Sequence, residues 1–165
     1  MALTGTSIHR KIVLLFATGF GLGFCPVASG TAGALPGIMI LLALQPLWQG
    51  PVLWPALAAA ALSLAAIPIC DLAERHFGRK DDRRIVADEY LTFPICMLGL
   101  PLTPWLLAAA FFTSRLCDVL KPPPARRLQA LPGGLGIVAD DVIANLYSLA
   151  LNHLVFLFAN YLLQP

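Results

Sequence analysis

Residues 52–70, with the sequence VLWPALAAAALSLAAIPIC, contain no charged side chain, and they end an uncharged segment that begins at Ile12. One membrane-crossing helix needs about 20 apolar residues, so this segment is long enough for more than one crossing. The 165-residue chain is 58% hydrophobic and only 12% charged, and its mean hydropathy is +0.78. A soluble fold with one buried apolar helix does not need so long an uncharged segment. The composition therefore predicts a small integral membrane protein.

Prolines and glycines divide the apolar sequence into helical segments. Turn signals occur at residues 49–51 and 99–104, and the three prolines at residues 122–124 end any helix. The first apolar segment, residues 12–24, is short for a crossing, so we expect it either to lie along the membrane interface or to insert only partway. We predict an all-α fold, a small polytopic membrane helical bundle with short helices and a partly inserted N-terminal segment, in one domain of residues 1–165. The other predicted helices cover residues 34–48, 52–76, 85–96, 105–119 and 140–163.

The Lys and Arg residues are grouped at one set of predicted helix ends. The turn at residues 49–51 carries neither, whereas residues 75–84 carry five and residues 121–127 carry three. By the positive-inside rule these ends, and by parity the N-terminus, lie in the cytoplasm. The net charge of +2 is too small for a nucleic-acid-binding protein. The four cysteines are scattered singly without zinc-ligand spacing, so we expect them to be packing residues.

Five acidic residues in this apolar chain form three small clusters, Asp88-Glu89, Asp118 and Asp140-Asp141. Carboxylates in a membrane are costly and usually mark function. The predicted topology places all three clusters at cytoplasmic helix ends, where they would repel one another without a cation among them. Oxygen-rich sites of this kind suit Mg²⁺. Adjacent residues on a helix point about 100° apart, so we expect only one member of each pair to be a direct ligand.

Two further patterns are compatible with phosphate binding. Arg115, Asp118 and Lys121 follow an i, i+3, i+6 spacing that places a cation and an anion on one helix face, although an ion pair at the membrane interface is the alternative. The small residues 29–33, SGTAG, precede a predicted helix and could cradle an anion, but taken without the carboxylates they favour close helix packing. Residues 133–136, GGLG, lack the βαβ context of a dinucleotide fold, and we expect them to form a tight turn that aims the acidic pair after them into the site.

Four segments together resemble the phosphatidylglycerophosphatase A family of bacterial membrane lipid phosphatases. They follow the family's order across almost the whole chain, and the D-E, R-x-x-D-x-x-K-P and G-G-x-G-I-x-x-D-D patterns are intact. The matching segments are residues 26–33 (PVASGTAG), 85–90 (IVADEY), 115–122 (RLCDVLKP) and 133–141 (GGLGIVADD). Two positions differ from the family pattern, because Pro132 stands where a His is expected and Ala34 where a Ser is expected, so lipid preference could differ.

The resemblance implies Mg²⁺-dependent hydrolysis of the terminal phosphomonoester of phosphatidylglycerophosphate to phosphatidylglycerol and phosphate. It implies a multi-pass protein of the bacterial inner membrane, with its site on the cytoplasmic side and a lipid substrate; nothing in the sequence identifies a protein partner. The expected catalytic residues are Asp88, Glu89, Asp118, Lys121, Asp140 and Asp141. The expected metal ligands are drawn from Asp88, Glu89, Asp118 and Asp141. The expected phosphate-binding residues are Gly30, Thr31, Gly33, Arg115 and Lys121.

Several alternatives remain open at this point. Either a water activated by the metal attacks phosphorus, or one Asp attacks and forms an aspartyl-phosphate. A small ion or proton transporter would also use intramembrane carboxylates, but it predicts them near the bilayer midplane. A noncatalytic membrane scaffold, whose charges only anchor helix ends, is a third hypothesis.

Overall fold

The computed structural model describes residues 7–163 of the chain, and within that range every regular element is helical. Two short 3₁₀ helices, Leu22–Phe24 and Phe93–Met97, accompany the α-helices. The prediction of an all-α bundle is therefore confirmed. The α-helices are α1 (Ser7–Ala17), α2 (Ser29–Ala43), α3 (Gln45–Trp48), α4 (Leu53–Phe77), α5 (Ala87–Thr92), α6 (Pro104–Leu120), α7 (Ala125–Leu128) and α8 (Gly133–Leu163).

Two of these helices, α4 and α8, are long and apolar enough to cross a membrane. They contain 25 and 31 residues, which corresponds to about 38 and about 46 Å at 1.5 Å per residue and exceeds the roughly 30 Å hydrocarbon core. Only 22% of the most apolar window of each helix is buried inside the protein. The outward surface of both helices is therefore apolar, as expected for a membrane protein. α8 packs against α4 on one side and against α6 on the other.

The N-terminal segment and the middle of the chain are shorter than these two helices. α1 has only 11 residues, and its end is fixed to the start of α5 because Val86 N donates a hydrogen bond to Ala17 O over 2.9 Å. The predicted helix 85–96 is divided into α5 and the 3₁₀ helix Phe93–Met97, since Pro94 has no N–H with which to continue an α-helix. This pair of elements lies inside the bundle, and Phe93 and Met97 are fully buried.

Polar side chains in the interior connect α5, α6 and α8. Ser114 Oγ donates to Asn145 Oδ1 over 2.7 Å, and Asn145 Nδ2 donates to Thr92 Oγ1 over 2.9 Å. Thr92 Oγ1 in turn donates to the backbone oxygen of Asp88 over 2.6 Å. Hydrogen bonds between membrane helices contribute about 0.6 kcal/mol each on average. Their value here is also geometric, because they fix the start of α5 relative to the two helices beside it.

Two predicted helix starts were wrong, and in both places small residues are the reason. α2 begins at Ser29 rather than residue 34, and α8 begins at Gly133 rather than residue 140. A Cβ on Gly134 would lie 2.0 Å from Ile67 O, so the first turn of α8 packs directly on the backbone of α4. A Cβ on Gly33 would lie 2.4 Å from the Cβ of Val86. The glycines expected in a loop and a flexible turn are therefore helix-packing residues.

Candidate active site

A polar cavity of about 310 Å³ lies where α2, α5 and α8 begin and α6 ends. The loop between α4 and α5 forms part of its rim. Its charged lining consists of six carboxylates and three cations. The carboxylates are Asp81, Asp88, Glu89, Asp118, Asp140 and Asp141, and the cations are Arg83, Arg115 and Lys121.

Two of the three cations bind carboxylates of the cavity directly. Arg115 Nη2 donates to Asp118 Oδ2 over 2.5 Å, and Arg115 Nη1 lies 3.2 Å from Glu89 Oε2 in an ionic contact without hydrogen-bond geometry. Lys121 Nζ donates to Asp140 Oδ2 over 2.6 Å. These contacts connect α6 to α5 and to α8. They also give Glu89 and Asp140 a positive partner within the protein.

The other member of each acidic pair has no such partner. Asp88 Oδ1 and Asp141 Oδ2 are buried and accept no hydrogen bond, and the two residues are only 7% and 4% exposed. A buried carboxylate oxygen without a donor is costly unless a cation or an ordered water satisfies it. The two oxygens therefore indicate where a ligand of the cavity would bind.

The carboxylates are also close enough for a shared cation. One oxygen from each of Asp118, Asp140 and Asp141 lies within 4.8 Å of the others. Oxygen donors of this type suit a hard divalent ion. This trio includes Asp140, which was not among the predicted metal ligands, whereas Asp88 and Glu89 line the same cavity without joining the trio.

Burial shifts the pKa values of charged side chains that line the cavity. α5 is too short to span a membrane, and burial raises the pKa of Glu89 to about 8 although Arg115 opposes the shift. Burial, reinforced by the charge of Glu89, also raises the pKa of Asp88. At Lys121, which follows the end of α6, burial lowers the pKa, but the hydrogen bond to Asp140 and the negative charges of Asp140, Asp118 and Asp81 together outweigh it, and the net shift is upward. Lys121 therefore stays charged, while the metal-free α5 carboxyls tend to hold protons.

All six predicted catalytic residues line this one cavity, and so does Arg115. Of the predicted phosphate-binding residues on α2, only Gly30 does so. A Cβ on Gly30 would lie 2.3 Å from Glu89 Oε1 and 2.8 Å from Arg115 Nη2, so this glycine makes room for the ion pair. Thr31 is exposed and outside the lining, and Gly33 is buried against Val86 instead.

Ser29, Asp81 and Arg83 also line the cavity, although Ser29 entered the prediction only as part of the segment 29–33 and the other two did not enter it. A run of charged residues such as 81–84 is usually a solvated loop, yet this loop folds over the cavity and is held there. Ser29 Oγ donates to Arg83 O over 2.9 Å, and Gln129 Nε2 donates to Asp81 Oδ2. The one available signal was proximity in sequence, because the loop directly precedes the family-like segment 85–90.

Comparison with known proteins identifies relatives over most of the chain. Residues 15–156 match the family described as Phosphatidylglycerophosphatase A. A Bacteroides thetaiotaomicron protein, provisionally named phosphatidylinositol-3-phosphatase, is 38% identical over 143 residues, which cover 84% of this chain and 89% of the relative. The Escherichia coli protein named Phosphatidylglycerophosphatase A is 33% identical, covering 81% of this chain and 77% of its own. The Haemophilus influenzae protein of the same name is also 33% identical, with coverages of 88% and 93%. No solved structure matches the chain significantly.

Proposed function

This chain belongs to the phosphatidylglycerophosphatase A family, and we propose that it hydrolyses phosphatidylglycerophosphate to phosphatidylglycerol and inorganic phosphate. The observation that carries the proposal is the single cavity, bordered by α2, α5, α6, α8 and the loop before α5, that gathers six carboxylates and three cations. Each of these helices carries one of the four family-like segments, and residues from all four segments line the cavity. We treat residues 1–165 as one catalytic domain on the same ground.

We propose Mg²⁺ as the cofactor, because the donor set is entirely carboxylate oxygen and two buried oxygens lack a partner. Asp118 and Asp141 of the close trio would hold the ion together with Asp88, whose buried oxygen lacks a partner. Asp140 of the trio would lie beside them, since Lys121 already binds its Oδ2. When bound, Mg²⁺ supplies charge neutralisation at the phosphate and lowers the pKa of a coordinated water. Glu89 is left outside this ligand set because it neither joins the trio of close oxygens, as Asp118 does, nor has a buried oxygen free of any cation, as Asp88 does.

The remaining polar groups have roles that follow from their contacts. Lys121 and Arg115 would donate to the phosphate oxygens and stabilise the charge that develops on them in the transition state. Asp140 would position Lys121 through the 2.6 Å hydrogen bond. The ionised form of Glu89, a stronger base than an ordinary carboxylate because its pKa is raised to about 8, would accept a proton from the attacking water. The P–O bond to glycerol then breaks, the leaving oxygen takes up a proton from solvent, and phosphatidylglycerol leaves with its acyl chains still in the bilayer.

The location of the cavity favours a lipid phosphatase over a transporter. The carboxylates converge at one end of the bundle, where a headgroup can enter, rather than continuing along it as an ion pathway would require. We propose a multi-pass protein of the bacterial inner membrane with this end in the cytoplasm, since the loops at this end carry the basic residues.

A second candidate substrate is phosphatidylinositol 3-phosphate, which the name of the 38% identical relative suggests. Both lipids carry a terminal phosphomonoester on a headgroup that a phosphodiester joins to diacylglycerol, so the same cavity chemistry serves either. Relative kcat/KM for the two lipids in identical detergent micelles decides between them. We expect the value for phosphatidylglycerophosphate to be the higher, and the reverse order would assign the chain to the other substrate.

The decisive experiment measures phosphate release from phosphatidylglycerophosphate by the purified protein with and without Mg²⁺. We expect Asp88→Asn and Asp141→Asn each to lower kcat about 100-fold or more, because each removes a ligand charge whose loss costs several kcal/mol of transition-state stabilisation. Asp71→Asn is the matched control, since Asp71 pairs with Arg75 and does not line the cavity. Unchanged activity in correctly folded Asp88→Asn or Asp141→Asn protein would contradict the proposed site, and an inactive wild-type protein would contradict the proposed function.

A further inference from the structure

Arg83 differs from the other two cations of the cavity. Arg115 and Lys121 are each within ion-pair distance of a carboxylate, whereas Arg83, among residues 7–163, is not. It stands in a cavity with twice as many acids as cations, and its side chain is exposed at the rim. An arginine that lines an acidic cavity without taking an acidic partner is available to an anion from outside the protein.

The loop around Arg83 fixes its backbone and separates its role from that of its neighbour. Arg84 is occupied elsewhere: its Nε and Nη2 donate to Asp82 over 2.7 and 2.9 Å, and its guanidinium lies 4.0 Å from the ring centre of Phe77. Asp82 O accepts from Ile85 N over 2.7 Å, and the carbonyl of Arg83 accepts from Ser29 Oγ over 2.9 Å. One arginine of the pair therefore braces the loop, and the other faces the cavity.

The lipid has two phosphates, and the carboxylate cluster accounts for only one of them. The terminal phosphomonoester belongs at the cation-binding carboxylates, with Lys121 and Arg115. The phosphodiester, one headgroup unit away, carries a further negative charge that must be matched near the rim, where the headgroup joins the acyl chains. A guanidinium suits this anion because it donates two parallel hydrogen bonds to phosphate oxygens.

We propose that Arg83 forms a second anion subsite that binds the phosphodiester of the substrate lipid. This inference rests on the proposed function, and it holds for either candidate lipid, since both contain the diester. It makes Arg83 a specificity-determining residue that favours lipids with a phosphodiester over simple phosphomonoesters. It predicts no direct part for Arg83 in breaking the P–O bond.

The two reaction products can be used as inhibitors to probe the two subsites independently. Phosphatidylglycerol retains the diester and lacks the monoester, whereas inorganic phosphate resembles the monoester alone. In micelles of a neutral detergent, we expect Arg83→Gln to raise the inhibition constant of phosphatidylglycerol about tenfold, the size of one lost charge-assisted hydrogen bond. The inhibition constant of inorganic phosphate should change by less than about twofold, because inorganic phosphate binds where the monoester binds and does not contact Arg83. Arg83→Lys should recover part of the loss, because it keeps the charge without the fork geometry.

Arg79→Gln is the matched control, because it removes the same charge from the same loop at an exposed position outside the cavity lining. Equal weakening of phosphatidylglycerol binding by Arg79→Gln and Arg83→Gln would show general attraction to an anionic surface and would overturn the inference. An unchanged phosphatidylglycerol constant in Arg83→Gln, or a parallel rise in both product constants, would overturn it too. These outcomes need an active wild-type protein, so they are distinct from failure of the proposed function.

Discussion

In each adjacent acidic pair, one carboxylate contacts a cation of the protein and the other does not. Glu89 contacts Arg115 and Asp140 contacts Lys121, while the remaining member of each pair has a buried oxygen without a partner. The helical offset of about 100° between neighbours predicts such a division. It does not predict which member takes which partner, because that depends on where α6 places its two cations.

The raised pKa of Glu89 predicts how pH acts on the metal-free protein. The ordinary value is 4.5 and the folded value about 8, so between these pH values the folded state holds a proton that the unfolded chain has lost. The stabilising contribution of the neutral carboxyl is therefore full below pH 4.5 and is lost as pH rises to about 8. We expect the Tm of the metal-free protein in detergent to fall as the pH is raised from about 5 to about 8.

Mg²⁺ should counteract this loss, because a cation among the carboxylates replaces the protons. The rise in Tm on adding saturating Mg²⁺ should then be larger at pH 8 than at pH 6, as differential scanning fluorimetry would measure. Glu89→Gln is the control, since it removes one of the carboxyls with a raised pKa and should make the pH dependence of the metal-free protein smaller. A Tm gain that is independent of pH in the wild type would contradict this account of the cluster.

Among the elements, the contact of α8 with α4 decides where the acidic pair at the start of α8 lies. Because a Cβ on Gly134 would meet Ile67 O at 2.0 Å and Asp71 N at 2.6 Å, Gly134→Ala must push the first turn of α8 away from α4. Overpacking against backbone costs about 1–3 kcal/mol. We expect a lower Tm and, because Asp140 and Asp141 lie about two turns further along the same helix and would be displaced with it, a loss of phosphatase activity at temperatures where the protein remains folded.

Gly50→Ala is the comparison for this substitution. Gly50 lies in the turn before α4, and its nearest neighbour beyond the adjacent residues would be 3.7 Å from an added Cβ. The same change of residue there should leave both Tm and activity close to the wild type. Equal effects of the two substitutions would show that intrinsic glycine conformational freedom, rather than the α4–α8 contact, accounts for the Gly134 result.

The helices that the sequence predicted well are those with explicit end signals. α4 and α6 were placed to within one residue at each end, since the Gln49-Gly50-Pro51 turn precedes α4 and Pro104 begins α6. The starts of α2 and α8 were displaced because glycine lowers local helix propensity. Its benefit at Gly33 and Gly134 is close packing against another helix, and a local pattern does not encode that contact.

For the site, too, residues with a local sequence signal could be predicted, and residues placed by distant contacts could not. Its six core residues could be predicted, because buried charge in an apolar chain is costly wherever it occurs. Arg83 and Asp81 could not, since a run of charges is usually a solvated loop. Their position over the cavity depends on Ser29 and Gln129, which are about 50 residues away in the chain. The hydrogen bonds that join Asn145 to Ser114 and Thr92 were not predicted either, because isolated Asn, Ser and Thr residues form no recognisable sequence pattern.

For the whole molecule, charge is distributed unequally between the two ends of the bundle. The loop between α4 and α5 and the segment between α6 and α8 carry basic residues and border the cavity. The opposite loops, residues 44–52 and 98–103, contain no Lys or Arg. By the positive-inside rule, this asymmetry supports the proposal that the cavity faces the cytoplasm.

This orientation can be tested with single cysteines in a variant without the four native ones. Ala130→Cys reports the cavity end and Val52→Cys the opposite end; both positions are exposed, and neither substitution alters the Lys and Arg balance that sets the topology. In intact spheroplasts, a membrane-impermeant maleimide should label Val52→Cys and should label Ala130→Cys only after permeabilisation. The reverse pattern would place the cavity outside the cytoplasm, where the monoester of a lipid in the inner leaflet cannot reach it, while activity in detergent would be unaffected. The topology assay therefore tests the cellular assignment separately from the chemistry, and protection of both positions until permeabilisation would contradict a bundle that crosses the membrane.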